Sequence, residues 1–240
     1  MRHRRLPINR SWIPNGVTAF SVFLGYSSIV ASFEGYYLPA AWLIVVAGIL
    51  DLMDGKLARK LDCDSKFGSY FDSLADVINY GVAPSLLFYR TYFTDWSLVG
   101  SLVSFLPIMC SAVRLARFNV LSEETGSNGF FVGLPTTVAA AFLASYVIFM
   151  HDLLGDFGTA SLAAVLLVSV SLLMISDVPY EHNGTLMRRS WKGLLTAIAL
   201  CTLVLFHGIA LFIWVTLYIA AGFLRSAFHT VRDLDRRKQA

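Results

Sequence analysis

The chain has 240 residues, 56% of them hydrophobic and 15% charged, with a formal net charge of +3. Soluble domains carry about 25% charged residues, so a mean hydropathy of +0.63 excludes a disordered protein, a nucleic-acid-binding arm and an ordinary soluble enzyme. The three cysteines, Cys63, Cys110 and Cys201, form no metal-binding spacing and are too few for a disulfide scaffold.

A bilayer core of about 30 Å takes about 20 helical residues. In chain order, apolar runs fall at 17–33, 37–53, 70–89, 97–118, 133–150 and 158–176, followed by 193–223. As one helix the last run would measure about 46 Å, too long for one crossing. It divides near His207-Gly208 into 193–207 and 209–223. Hydropathy alone fits seven spans or eight, and the basic residues choose between them. Arg2, Arg4, Arg5 and Arg10 precede the first run, and Arg225, Arg232, Arg236, Arg237 and Lys238 follow the last. Cytoplasmic loops are enriched in Lys and Arg, so both termini are expected inside. Eight spans then put every basic residue but Arg90 on the cytoplasmic side. A signal peptide is the alternative for the first run, but no clear small-x-small cleavage site precedes the second. Backbone groups in lipid must be satisfied internally, which leaves helices as the spanning element. The expected fold is all-α: one multi-pass integral membrane bundle of eight helices, with residues 1–16 and 224–240 as basic cytoplasmic ends. The basic tail reads as a topology anchor near anionic headgroups.

Four acids stand at the inner ends of the second and third runs: Asp51, Asp54, Asp72 and Asp76. Charges at the edge of a membrane are costly and usually functional. Asp51 and Asp54 are i, i+3, and Asp72 and Asp76 are i, i+4, so each pair shares a helical face. Two facing pairs at one depth cannot all ionise without cations. Hard oxygen ligands suit Mg²⁺, Mn²⁺ or Ca²⁺, and no His or Cys joins them to suggest zinc. The alternative is that they cap helices and pair with Lys56, Arg59 and Lys66. Gly55, Ala58 and Gly68 leave room for a ligand, or for close helix packing. Arg59 offers a planar fork suited to phosphate. Carboxylates for two metals, an arginine and small residues together point to phosphoryl chemistry on a diphosphate.

The stretch from Asp51 to Asp76 reads DLMDGKLARKLDCDSKFGSYFDSLAD. It resembles the signature of the CDP-alcohol phosphotransferase family, D-x2-D-G-x2-A-R-x8-G-x3-D-x3-D, at every fixed position. The resemblance implies an integral membrane enzyme, commonly a homodimer, that transfers a substituted phosphate from a CDP-linked donor to a hydroxyl. It also implies that Asp51, Asp54, Asp72 and Asp76 hold two divalent cations and that Asp76 is the general base. Gly55, Ala58, Arg59 and Gly68 would line the CDP site. Within the family the likeness is greatest to the serine-accepting branch, from Ile13 to about Tyr180. It includes Pro14-Asn15 with Thr18, SLADVINYGVAPSLLFY from Ser73, RLARFN from Arg114 and FFVGLPTT from Phe130. Thr137 stands where that branch often has proline. The implied substrates are CDP-diacylglycerol and L-serine, taken up at the cytoplasmic face among membrane lipids, with no nucleic acid partner.

The residues themselves add three candidates. Arg114 and Arg117, i, i+3, can hold an anion, either a lipid phosphate or a serine carboxylate, or can snorkel at the membrane edge. Asn79, i+3 from Asp76, can orient the acceptor or a metal ligand, or can serve an interhelical hydrogen bond. Asn15 and Thr18 can contact the nucleotide, or can cap the first helix. Another acceptor (glycerol 3-phosphate or an inositol phosphate) and an archaeal ether-lipid donor with serine are rival substrates. A cation transporter is the rival class, although it would spread its acids across the membrane.

Overall fold

The computed structural model describes residues 12–60, 66–125, 133–176 and 209–223; for 13–14, 52–60 and 122–125 it gives the backbone course alone. The described residues are helical and contain no strand. They form α1 (Trp12–Phe33), α2 (Tyr37–Lys60), α3 (Lys66–Asp76), α4 (Ala83–Phe88), α5 (Ser97–Thr125), α6 (Thr136–Leu154) and α7 (Ala160–Ile175). The last described helix, α8, is Ile209–Phe223. The expected span 193–207 and both chain ends lie outside the described residues.

Among the described residues, three stretches are long and apolar enough to cross a membrane: Asn15–Phe33, Lys66–Leu121 and Thr136–Leu154. The second holds 56 residues, which as a straight rod would measure about 84 Å. It is bent at Ser97, whose φ of 49° lies in the left-handed region that interrupts a right-handed helix. Two legs result, and they pack antiparallel. Gly100 lies against Phe93, Gly81 against Ser111, and Ser73 bonds Asn119, all in one register.

The first leg is itself irregular. π-helical turns at Val77–Val82 and Tyr89–Phe93 flank α4. The Ala83 N–H donates to Ile78 O, a wide i→i−5 bond. Pro84 follows directly and has no N–H for the ladder, so a widened turn in front of it absorbs the defect.

Small residues bring the helices together, as expected where apolar solvent gives no driving force for association. Ala40, Ala41, Ala83 and Ala144 are completely buried. Several buried serines satisfy their hydroxyls within their own helices, as Ser32 donates to Ser28 O, Ser145 to Phe142 O and Ser171 to Leu167 O, while Ser28 donates across to Ala40 O on α2. The outward faces carry large apolar groups, among them Leu98, Leu102, Phe105 and Val165. Contiguous exposed apolar surface of this kind suits lipid better than water.

Several helices differ from the apolar runs. α2 continues to Lys60 and α5 to Thr125, into polar residues beyond the hydrophobic stretch. α6 starts at Thr136 and not at residue 133. Gly133 has a φ of 84°, and Pro135 is the N-cap. The Leu134 N–H donates to Leu173 O at 2.9 Å, tying this turn to the end of α7. At the opposite end of the bundle, Arg90 donates to Phe33 O at 3.2 Å and lies 5.5 Å from the Phe33 ring centre. The one basic residue expected on the outer side thus caps the C-terminus of α1.

Candidate active site at one end of the bundle

Asp51 comes from α2, and Asp72 and Asp76 come from α3. One carboxylate oxygen of each lies within 4.8 Å of the others. The i, i+4 spacing on α3 brings its two acids to one face, and both helices meet α1, which holds their ends together. Asp76 lies beside Asp51 and Asp72, and the charges of Asp51, Asp72 and Arg114 act on it. Its Oδ1 is buried without a hydrogen-bond partner.

Three converging carboxylates repel one another, and a buried carboxylate oxygen without a donor is an unmet cost. A divalent cation answers both conditions, and an all-oxygen donor set fits Mg²⁺, Mn²⁺ or Ca²⁺. The residues present therefore fit such an ion. Asp54 follows Asp51 by three residues on the same helix. The side chains of Asp54, Gly55, Ala58 and Arg59 lie outside the described residues. Gly68 stands one turn before Asp72 on the stripe that leads to Asp76.

Arg114 approaches from α5. Its Nε is buried without a partner, and it interacts electrostatically with Asp76, Arg117 and Tyr218. Arg117 is exposed one turn further along. Arg114 thus brings a cation from α5 toward Asp76.

Asn79 is turned elsewhere. It is fully buried, and its amide nitrogen donates to Ser21 Oγ on α1 at 3.1 Å. Gly25 makes room for it, since a Cβ there would collide with Asn79 Oδ1. In a regular α-helix, i+3 would return Asn79 to the face of Asp76. The π turn that begins at Val77 has more residues per turn and rotates it toward α1. Asn15 and Thr18 lie three and six residues inside α1, which includes Trp12. They are therefore not N-caps; Thr18 is buried and its carbonyl accepts from Ser21 Oγ at 2.8 Å.

A crevice of about 540 Å³ opens between α6, α7 and α8, walled by Phe142, Leu166, Val170, Leu173, Ile219 and Phe223 among others. Among the described residues its lining is apolar apart from Ser169, Ser176 and Thr216. Features that spacing did not disclose are the π turns, the Ser73–Asn119 pair and the approach of Tyr218 to Arg114. Gly81 and Pro84 are the sequence signals for the first; the α8 contact has none.

Residues 11–175 match the sequence profile of the CDP-alcohol phosphatidyltransferase family, and the chain belongs to that family. This sets aside the cation-transporter alternative. Among curated proteins, the CDP-diacylglycerol–serine O-phosphatidyltransferase of Helicobacter pylori is 36% identical over 98% of this chain and 100% of its own length. The protein of that name from Mycobacterium bovis is 32% identical over 88% of this chain and 76% of its own. The archaetidylserine synthase of Methanothermobacter thermautotrophicus is 38% identical over 71% of this chain and 70% of its own.

Proposed function

We propose that the chain transfers a phosphatidyl group from CDP-diacylglycerol to the hydroxyl of L-serine, giving phosphatidylserine and CMP. The observation that carries this reading is the convergence of Asp51, Asp72 and Asp76 within 4.8 Å in a member of this family. Relatives that cover nearly the whole chain bear the name of that activity.

Asp51, Asp54, Asp72 and Asp76 would hold two divalent cations, which when bound neutralise charge on the diphosphate and on the departing CMP. Gly55, Ala58 and Gly68 admit the cytidine nucleotide, Arg59 binds its phosphate, and Asn15 and Thr18 border it from α1. Asp76 accepts the proton of the serine hydroxyl. The serine oxygen bonds to the lipid-linked phosphorus as the bond from that phosphorus to CMP breaks. Arg114 and Arg117 hold an anionic group of the donor or the acceptor. Asn79 serves the same helix by fixing its rotation against α1.

The reaction takes place at the cytoplasmic face of an eight-span, multi-pass protein whose basic ends both lie inside, and the protein works as a homodimer. The distribution of Lys and Arg supports this orientation. The relative named archaetidylserine synthase supports a second donor, a CDP-linked ether lipid with the same acceptor.

The test is CMP release by the purified chain with Mg²⁺ or Mn²⁺, with each donor, and with labelled serine, glycerol 3-phosphate or an inositol phosphate. Labelled lipid should form from serine. Labelled lipid from glycerol 3-phosphate alone would overturn the serine assignment.

A further inference from the structure

A hydrogen-bonded chain runs from α5 into α3 beside the acids. The Asn119 amide nitrogen donates to Ser73 Oγ at 3.2 Å, and Ser73 Oγ donates to Ser69 O at 3.1 Å. Asn119 Oδ1 also lies 3.3 Å from Ser73 Oγ, but a hydroxyl has one proton and serves one acceptor at a time. The amide donor and the Ser69 carbonyl together satisfy it.

The location is specific. Ser69 and Ser73 form an i, i+4 stripe beside the Gly68–Asp72–Asp76 stripe, so the link acts one residue from Asp72. On α5, Asn119 is two residues beyond Arg117 and five beyond Arg114. The main packing of α5 is with α7 and with the leg beyond Asp76, not with α3 itself. Ser73–Asn119 is thus the end clasp of the antiparallel seam that Gly100–Phe93 and Gly81–Ser111 begin. An interhelical hydrogen bond fixes both rotation and register.

We infer that Asn119 is a positioning residue for the transfer reaction: through Ser73 it sets the separation between the carboxylate helix and the arginine-bearing turn of α5, and so sets how tightly an anionic substrate group is held opposite the acids. The inference rests on the reading of Arg114 and Arg117 as the anion site. The anion is either the acceptor carboxylate or a donor phosphate, and kinetics distinguish the two.

The experiment uses the full chain in mixed micelles with CDP-diacylglycerol, L-serine and Mn²⁺. The variants are Asn119→Ala, Ser73→Ala, the double variant and the exchanged pair S73N/N119S. Loss of the link should raise one KM about five- to tenfold, the scale of one hydrogen bond, with kcat and the Mn²⁺ activation midpoint within about twofold of wild type. A rise in the serine KM assigns the anion to the acceptor; a rise in the CDP-diacylglycerol KM assigns it to the donor. The double variant should be no worse than either single one, and the exchanged pair should recover most of the affinity. Unchanged KM values in both single variants, additive losses, or a uniform decline of every parameter with thermal stability would each overturn the inference. If the wild type turns over no serine, the functional reading fails by itself, and the same variants are then measured with the acceptor it does use.

Discussion

Asn79 and Ser21 join the helix of the acids to α1 by a buried hydrogen bond of 3.1 Å, with Gly25 held open to receive the amide. Interhelical hydrogen bonds in membrane proteins contribute about 0.6 kcal/mol on average and up to about 1.7. Asn79→Ala should therefore lower thermal stability by an amount in that range, while the KM for serine stays within about twofold. Gly25→Ala should cost about 1–3 kcal/mol by overpacking, because its new methyl meets the amide. The double variant should be more stable than the sum of the two losses, since removing the amide makes room for the methyl. Thermal unfolding of the four proteins in one detergent measures this. A strictly additive result would contradict the packing described.

Gly133 explains part of the FFVGLPTT segment. Its φ of 84° suits glycine, and a Cβ would run into the Met174 carbonyl. Gly133→Ala should destabilise the chain by about 1–3 kcal/mol, read as a lower unfolding temperature. Gly16, with open space around it, is the control: any loss in Gly16→Ala should be smaller than in Gly133→Ala.

Arg114 and its candidate role as an anion ligand can be separated from its charge. Arg114→Lys keeps the positive charge near Asp76 but loses the planar fork. It should raise the KM of the substrate whose anion it holds by about tenfold, the scale of one charge-assisted hydrogen bond. Arg114→Ala should raise it further and also lower kcat, because Asp76 loses a nearby cation. Equal kinetics for the Lys variant and the wild type would assign Arg114 to membrane-edge packing.

The convergence of Asp51, Asp72 and Asp76 was legible in the sequence because it depends on local periodicity, whereas the Asp54 side chain lies outside the described residues. Helical spacing pairs Asp72 with Asp76, and matched depth at two adjacent helix ends brings Asp51 to them. For Asn79 the sequence offered a role beside Asp76 or an interhelical hydrogen bond, and the structure has the second, because one widened turn between it and Asp76 changes the face it occupies. That turn depends on Pro84 and on the close approach of Gly81 to Ser111, a tertiary contact that spacing does not encode. Helix ends failed for a related reason. Hydropathy reports where lipid-compatible residues stop, whereas α2 and α5 continue into polar residues beyond that point. At α6 the positive φ of Gly133 and the bond from Leu134 to Leu173 set the start instead.

The strongest test of the acid cluster needs no turnover. Asp51, Asp72 and Asp76 crowd their oxygens within 4.8 Å, so a metal-free protein is destabilised by their mutual repulsion. Asp76→Asn removes one of those charges. In chelator it should unfold at a higher temperature than the wild type, by about 2–4 °C for each 1 kcal/mol of repulsion relieved. Adding Mn²⁺ or Mg²⁺ should reverse the order. The wild type gains about 2.7 kcal/mol when the free cation reaches 100 times its dissociation constant, and the variant, one ligand poorer, gains less. The same substitution should lower the rate of CMP release by about 10²–10⁴-fold, the usual contribution of a positioned base. A variant that loses activity without the crossover in stability would keep Asp76 as base but remove it from the cation site. A crossover with unchanged CMP release would do the opposite, so the two roles assigned to one carboxylate can each be refuted alone.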